Sequence, residues 1–237
     1  MKKWVIPDLH GCVKTLSALM EEHIKPEKDD VLYFLGDYID RGPDPKGVLD
    51  YIMKLQDDGF NVKPLRGNHE EYIVLAFNSV KHQKRKYLFW KEPNKLLNEW
   101  LRHGGKYTMN SFGVKRITEI PEKYIDWLQN LVHYYQEDKF IIVHAGLNFD
   151  RLDPFEDKHA MLWSKAFNPD VEKIGNRIII HGHVPVSFNF LTTTLANPNH
   201  KYIALDNGCY LPHKEGMGNL VALELNSMEL KVQKSLD

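Results

Sequence analysis

The chain has 237 residues, 43% of them hydrophobic and 11% aromatic, enough to bury a substantial core, and it is expected to form one domain, 1–237, that carries an insertion. A formal net charge of -1 at pH 7 excludes any general attraction to nucleic acid or to an anionic membrane, so neither is an expected partner. Two cysteines, Cys12 and Cys209, exclude a disulfide framework and fit a reducing cytoplasm.

A first strand is expected over residues 4–7, an apolar run too short for a signal peptide, and no stretch reaches transmembrane length. A helix over 12–22 follows, with Val13, Leu16, Leu19 and Met20 forming one apolar stripe. A second strand over 31–35 ends at Gly36-Asp37, and Asp44-Pro45 then caps a helix carrying Val48, Leu49, Ile52 and Leu55. A third strand over 62–65 ends at Arg66-Gly67-Asn68. Three strand, polar turn and helix repeats in succession argue for an α/β fold with a largely parallel sheet. Such sheets bind ligands beyond the carboxyl ends of their strands.

The rhythm changes between 79 and 120, which reads as a helical insertion. Lys81, Lys84, Arg85 and Lys86 lead into Tyr87, Phe89 and Trp90, then into a helix around Leu96, Leu97, Trp100 and Leu101 that ends at Gly104-Gly105. The charge run reads as a solvated face. The tryptophans are expected to hold a small helical subdomain together, with stacking on a nucleobase as the alternative. Strands resume over 140–143, before His144, and over 177–180, before His181-Gly182-His183. Three more follow over 202–205, 220–225 and 229–232, with Asn226-Ser227 as a hairpin turn. The C-terminal third is therefore expected to be an antiparallel sheet packed on the first.

Chemistry concentrates in five short blocks: Asp8-Leu9-His10-Gly11, residues 36–42 (GDYIDRG), Arg66-Gly67-Asn68-His69-Glu70, His144-Ala145-Gly146 and Gly182-His183-Val184-Pro185. Each pairs oxygen or imidazole donors with glycine and follows an apolar run. Asp, Asn and His without thiolate suit hard or borderline divalent cations. A pair of such ions makes a phosphate-ester hydrolase the leading reading. Manganese is the expected metal, with iron, zinc or magnesium accepted by the same donors.

The blocks resemble, in order, the signatures of the calcineurin-like metallophosphoesterases, and within them the PPP-type serine/threonine phosphatases and their diadenosine tetraphosphate hydrolase relatives. Pro7 stands where the family has its first glycine, which is not a ligand. The resemblance implies two packed mixed β-sheets flanked by helices, in α/β/β/α layers. It implies that Asp8, His10 and Asp37 hold one ion and that Asp37, Asn68, His144 and His183 hold the other, with a hydroxide shared between the ions attacking phosphorus. It further implies that His69 protonates the leaving group while Asp40 orients it. Arg41 is the best candidate for a bidentate phosphate clamp, because its planar fork matches phosphoryl oxygens.

Other contacts to the substrate phosphate are expected from Asn68 and from Lys165, which stands where bacterial relatives carry a second arginine, and Arg66 is a candidate for the same contact, with bracing of its loop the favoured role. Arg177 is the fallback for Lys165. His181 competes with His183 as the last ligand, and the Gly-His-x-Pro pattern selects His183. The seven histidines outside the blocks, His103 and His159 among them, read as surface or structural. Asp206-Asn207-Gly208-Cys209 resembles a late loop of the family near the metals, although a plain turn explains it as well.

The expected activity is thus that of a cytoplasmic, metal-dependent serine/threonine or dual-specificity protein phosphatase, acting on a phosphorylated protein or a small phosphate ester. A symmetrical dinucleoside polyphosphate hydrolase is the alternative enzyme. An inactive metal-binding scaffold is the alternative of another class.

Overall fold

Strand alternation sorts the core into layers. The structure is a computed structural model and describes residues 1–82 and 93–237; Lys84, Arg85, Lys86, Tyr87, Phe89 and Trp90 of the expected basic and aromatic run lie outside the described residues. β1 (Lys3–Ile6), β2 (Val31–Phe34) and β3 (Asn61–Pro64) pair in parallel. Trp4 and Ile6 project to one face and Val5 to the other, as the two-residue period of a strand requires.

Helices cover the first face. α1 (Val13–Ala18), α2 (Pro45–Asp57), α3 (Asn68–Lys81) and α6 (Glu122–Gln129) bring Leu16, Val48, Ile52, Ile73, Phe77 and Leu128 onto Trp4, Ile6, Leu32 and Phe34. Asp44 caps α2 as expected, its carboxylate accepting from Gly47 N at 3.0 Å. α1 runs on into a π-helical turn, Leu19–Ile24, that closes at Lys25 in the left-handed region.

The other face carries a second sheet, built from β4 (Tyr134–Gln136), β5 (Phe140–Val143), β6 (Ile178–His181) and β7 (Tyr202–Ala204) in that spatial order. β5, β6 and β7 are parallel and β4 is antiparallel. Val5, Val31, Tyr33 and Leu35 of the first sheet meet Phe140, Ile142, Ile180 and Ile203 of the second in one buried cluster. The outer face of the second sheet, Ile141, Val143 and Ile179, packs on Met161 of α7 (Lys158–Trp163). The layers are α/β/β/α, and apolar residues on both faces of each inner strand are what that burial demands.

The expectation of a separate C-terminal antiparallel sheet is overturned. β7 pairs in parallel beside β6, whereas β8 (Asn219–Glu224) and β9 (Leu230–Lys234) extend the first sheet, giving the order β3-β2-β1-β8-β9. The hairpin between β8 and β9 does turn at Asn226-Ser227, where the Glu224 carboxylate accepts from both backbone N–H groups. Local alternation identifies these strands but does not say which edge they join.

Two short helices, α4 (Lys95–Trp100) and α5 (Lys106–Ser111), lie between α3 and α6, with a π-helical turn, Leu101–Gly105, joining them. Gly104 takes φ 113°, and a Cβ there would stand 3.0 Å from the Arg41 backbone nitrogen, so this turn needs glycine to seat against the 36–42 loop. The Trp100 ring is fully buried against Gly105 and the core, away from any nucleobase, and its indole N–H reaches Asp40. Among the described residues, no helix is long and apolar enough to cross a membrane.

Candidate metal centre and active site

Five parallel strands deliver the polar blocks to one edge of the molecule. Asp8 and His10 follow β1, Asp37, Asp40 and Arg41 follow β2, Asn68 and His69 open α3 after β3, His144 follows β5, and His183 follows β6. Eight non-glycine residues have positive φ among those described, and five are His10, Asp37, Asp40, Arg41 and His183. A left-handed backbone at such residues costs on the order of 1–3 kcal/mol each. The strain is concentrated where side chains must turn inward together.

Asp37 lies at the centre, fully buried. Its Oδ2 stands 3.5 Å from His10 Nε2 and 3.9 Å from His69 Nε2, while its Oδ1 stands 3.6 Å from His144 Nε2 and accepts from the His69 backbone N–H at 3.1 Å. The two oxygens thus face two donor sets, one with His10 and His69 and one with His144 and His183. Asn68 Oδ1 joins the second set, 3.0 Å from His144 Nε2 and 2.9 Å from His183 Nδ1. Asp8 stands outside both compact sets; its carboxylate accepts from the His183 backbone N–H at 3.1 Å and is pushed up by burial, by Asp206 and by Asp37.

Tautomers are set by the backbone. His10 Nδ1 lies 2.9 Å from the Ile39 carbonyl and His144 Nδ1 lies 2.9 Å from the Leu35 carbonyl. A ring nitrogen beside a carbonyl must be the N–H, which leaves each Nε2 as a lone pair aimed into the site. Burial lowers His10 and His144, and it lowers His183 to about 3, so these rings are neutral. Burial alone would raise the Asp37 carboxyl, but the surrounding histidines hold it well below the usual carboxylate range. Neutral imidazole lone pairs and a carboxylate oxygen within 4.8 Å of one another in each set, with an amide oxygen beside the second, fit divalent cations of borderline hardness.

His69 belongs to a second network. Its Nδ1 donates to Asp40 Oδ2 at 2.7 Å, and Asp40 is held in turn by Trp100 Nε1 at 3.1 Å and Thr108 Oγ1 at 2.5 Å. Burial opposes charge on His69, but Asp37 and the hydrogen-bonded Asp40 outweigh it and keep the ring above its ordinary pKa. Glu70 braces both loops: its carboxylate accepts from Asp37 N at 2.7 Å, Tyr38 N at 2.9 Å and Gly67 N at 2.9 Å.

Arg41 spans the two histidines of the first set, its NH1 2.9 Å from His10 Nε2 and its NH2 3.0 Å from His69 Nε2. Sequence reasoning missed its anchor. Tyr210 accepts from Arg41 NH1 at 2.6 Å and packs edge-on against His10, so the loop at 206–210 is more than a turn. Its only signal was a tyrosine directly after the loop that resembled the family.

Other expected groups stand elsewhere. Arg66 is tied to Glu71 at 2.7 Å and to the Leu128 carbonyl at 3.1 Å, which makes it a brace between α3 and α6. Arg177 precedes β6, at the strand end opposite His183, and donates to the Glu137 and Ile174 carbonyls. Lys165 is exposed just beyond α7. His181 turns to the other side of β6, against Phe167 and Tyr202, while His183 enters the cluster. Cys209 donates to the Asp8 and Leu9 carbonyls and is pushed up by its neighbour Cys12 and by burial.

The family profile described as calcineurin-like phosphoesterase matches residues 1–198. The symmetrical bis(5'-nucleosyl)-tetraphosphatase of Buchnera aphidicola subsp. Schizaphis graminum is 27% identical over 153 residues, 62% of this chain and 45% of that protein. The match therefore spans less than half the length of that curated relative. A provisionally named diadenosine tetraphosphatase superposes with a TM-score of 0.62 at 17% identity, over 100% of this chain and 94% of the other. A serine/threonine phosphatase of Saccharomyces cerevisiae gives the same TM-score and identity, over 100% and 81%. At that identity the two structures speak for the fold alone.

Two outcomes check this geometry. Glu70→Ala leaves three buried N–H groups without their acceptor and lowers unfolding free energy by about 3 kcal/mol or more in urea titration. His183→Ala weakens manganese binding in calorimetry by about tenfold or more, whereas His181→Ala leaves it within about twofold.

Proposed function

The chain belongs to the calcineurin-like phosphoesterase family, and on that premise we propose that it is a metal-dependent phosphomonoesterase acting on phosphorylated side chains of proteins in the cytoplasm. The observation that carries this reading is the buried His69–Asp40 pair, locked by Trp100 and Thr108. The side-chain oxygen of serine, threonine or tyrosine leaves as a stronger base than a phosphate does, so its departure calls for a positioned proton donor. A nucleoside phosphate leaving from an anhydride needs that donor far less.

In this reading Asp8, His10 and Asp37 would hold one ion and Asp37, Asn68, His144 and His183 would hold the other, with manganese the metal the proposal names. Bound divalent cations supply positive charge beside the phosphoryl group and lower the pKa of attacking water. Arg41 turns its fork to the phosphoryl oxygens and stabilises charge as it builds. Tyr210 and the ring of His10 keep that fork aimed across the cleft. His69 gives its proton to the leaving oxygen, and Asp40 fixes the ring so that Nε2 faces the reaction. Asp37, drawn toward both histidine sets, keeps the loops after β2 and β3 in register.

The name of the curated relative favours a second reading, a symmetrical dinucleoside polyphosphate hydrolase. Turnover of a phosphoseryl peptide and of diadenosine tetraphosphate, both with manganese, separates the two. The proposal expects the peptide to have the higher kcat/KM, and the reverse order overturns it. A pH profile tests the acid. His69 must carry its proton to act, so kcat falls as pH rises through its pKa. Asp40→Asn removes the carboxylate that raises that pKa, and the alkaline limb moves to lower pH with kcat reduced by about 10²-fold or more.

A further inference from the structure

A chain of aromatic rings from three separate elements borders the site on one side. Tyr72 lies one turn after His69 on α3, His103 comes from the π-helical turn, and Trp163 ends α7. Tyr72 and His103 stack at 4.6 Å between centroids, with planes 27° apart. Tyr72 meets Trp163 edge-on at 4.8 Å. The chain reaches the reacting groups at both ends: His69 lies 6.3 Å from Tyr72 and 6.4 Å from His103, and Trp163 lies 6.5 Å from His183. Tyr72 and Trp163 are half-buried and His103 is exposed, so the rings keep open surface. An aromatic cluster serving only the core would be covered, as Trp100 is.

We propose that this wall selects substrates whose leaving group is an aromatic ring joined to the phosphoryl oxygen, so that aryl phosphates, phosphotyrosyl side chains among them, are preferred over alkyl phosphates. The inference rests on the phosphomonoesterase reading given above. The leaving oxygen must lie at His69 to take its proton, so the group attached to that oxygen emerges beside Tyr72 and His103. A flat ring offers offset or edge-on contact there, which a serine methylene cannot. Water's oxygen bonds phosphorus as the bond from phosphorus to the phenolic oxygen breaks. The phenolate leaves with the proton of His69, the proton shed by water restores the imidazolium, and the products are phenol and inorganic phosphate.

The test compares a phosphotyrosyl and a phosphoseryl peptide of one sequence, with manganese, in the wild type and in Trp163→Leu, Tyr72→Leu and Tyr72→Phe. Expected is a kcat/KM ratio of about tenfold or more for the phosphotyrosyl peptide, falling toward one in both leucine variants and kept by Tyr72→Phe, which retains the ring. Calorimetry with the non-hydrolysable phosphonate analogues of both peptides reads the same preference without turnover. A wild-type ratio near one overturns the proposal, as does a ratio that the leucine variants leave unchanged while only lowering thermal stability. Faster cleavage of diadenosine tetraphosphate than of the phosphotyrosyl peptide also overturns it, since the ring received would then be a base. If neither peptide is cleaved, the phosphomonoesterase reading falls by itself, and equal affinity for the two phosphonates then overturns the wall's assignment.

Discussion

A single buried carboxylate organises this molecule. Asp37 presents one oxygen to His10 and His69 and the other to His144, so two clusters of lone pairs share one anion. Burying a charge in this way is costly unless it is paired and hydrogen-bonded. The chain meets that cost with the His69 backbone N–H, with surrounding imidazoles, and with Glu70, which fixes the backbone of Asp37 itself. The same packing that keeps His10, His144 and His183 neutral keeps their lone pairs available. Burial thus serves cation binding directly.

The price of that arrangement is backbone strain, and the fold restrains it from several directions. His10, Asp37, Asp40, Arg41 and His183 all sit in the left-handed region, on loops that follow strands buried on both faces. A buried strand cannot slide, because a one-residue slip would exchange its two faces. The loops therefore start from fixed points. Trp100, Thr108 and Gly104 then press the intervening helices against the 36–42 loop, so a segment that looks peripheral in sequence positions Asp40.

Legibility followed distance along the chain. The strands before Asp8, Asp37, Asn68, His144 and His183 were evident because a short apolar run and a polar block with glycine are both local signals. The same holds for Asp44 as a helix cap, and the Gly-His-x-Pro block picked out His183 over His181, two residues that strand period alone would put on one face; β6 ends at His181, and the turn through His183 at φ 69° separates them. Arg177 was misjudged for a related reason: composition offers an arginine near a motif, but only the direction of β6 puts it at the wrong end. Tyr210 on Arg41, Trp100 on Asp40 and the ring contacts of Tyr72, His103 and Trp163 join residues distant in sequence, and no period announces them.

By itself, the amino-acid sequence determined the donor chemistry, the strands along the chain other than β4, and the family to which the five blocks point, because hydrophobic periodicity and residue type act over a few positions. Tertiary structure alone decided that β8 and β9 join the first sheet, that Arg66 braces α3 against α6, and that Asp37 divides its oxygens between two sets. Those outcomes depend on which buried faces pack together, a property of the whole core.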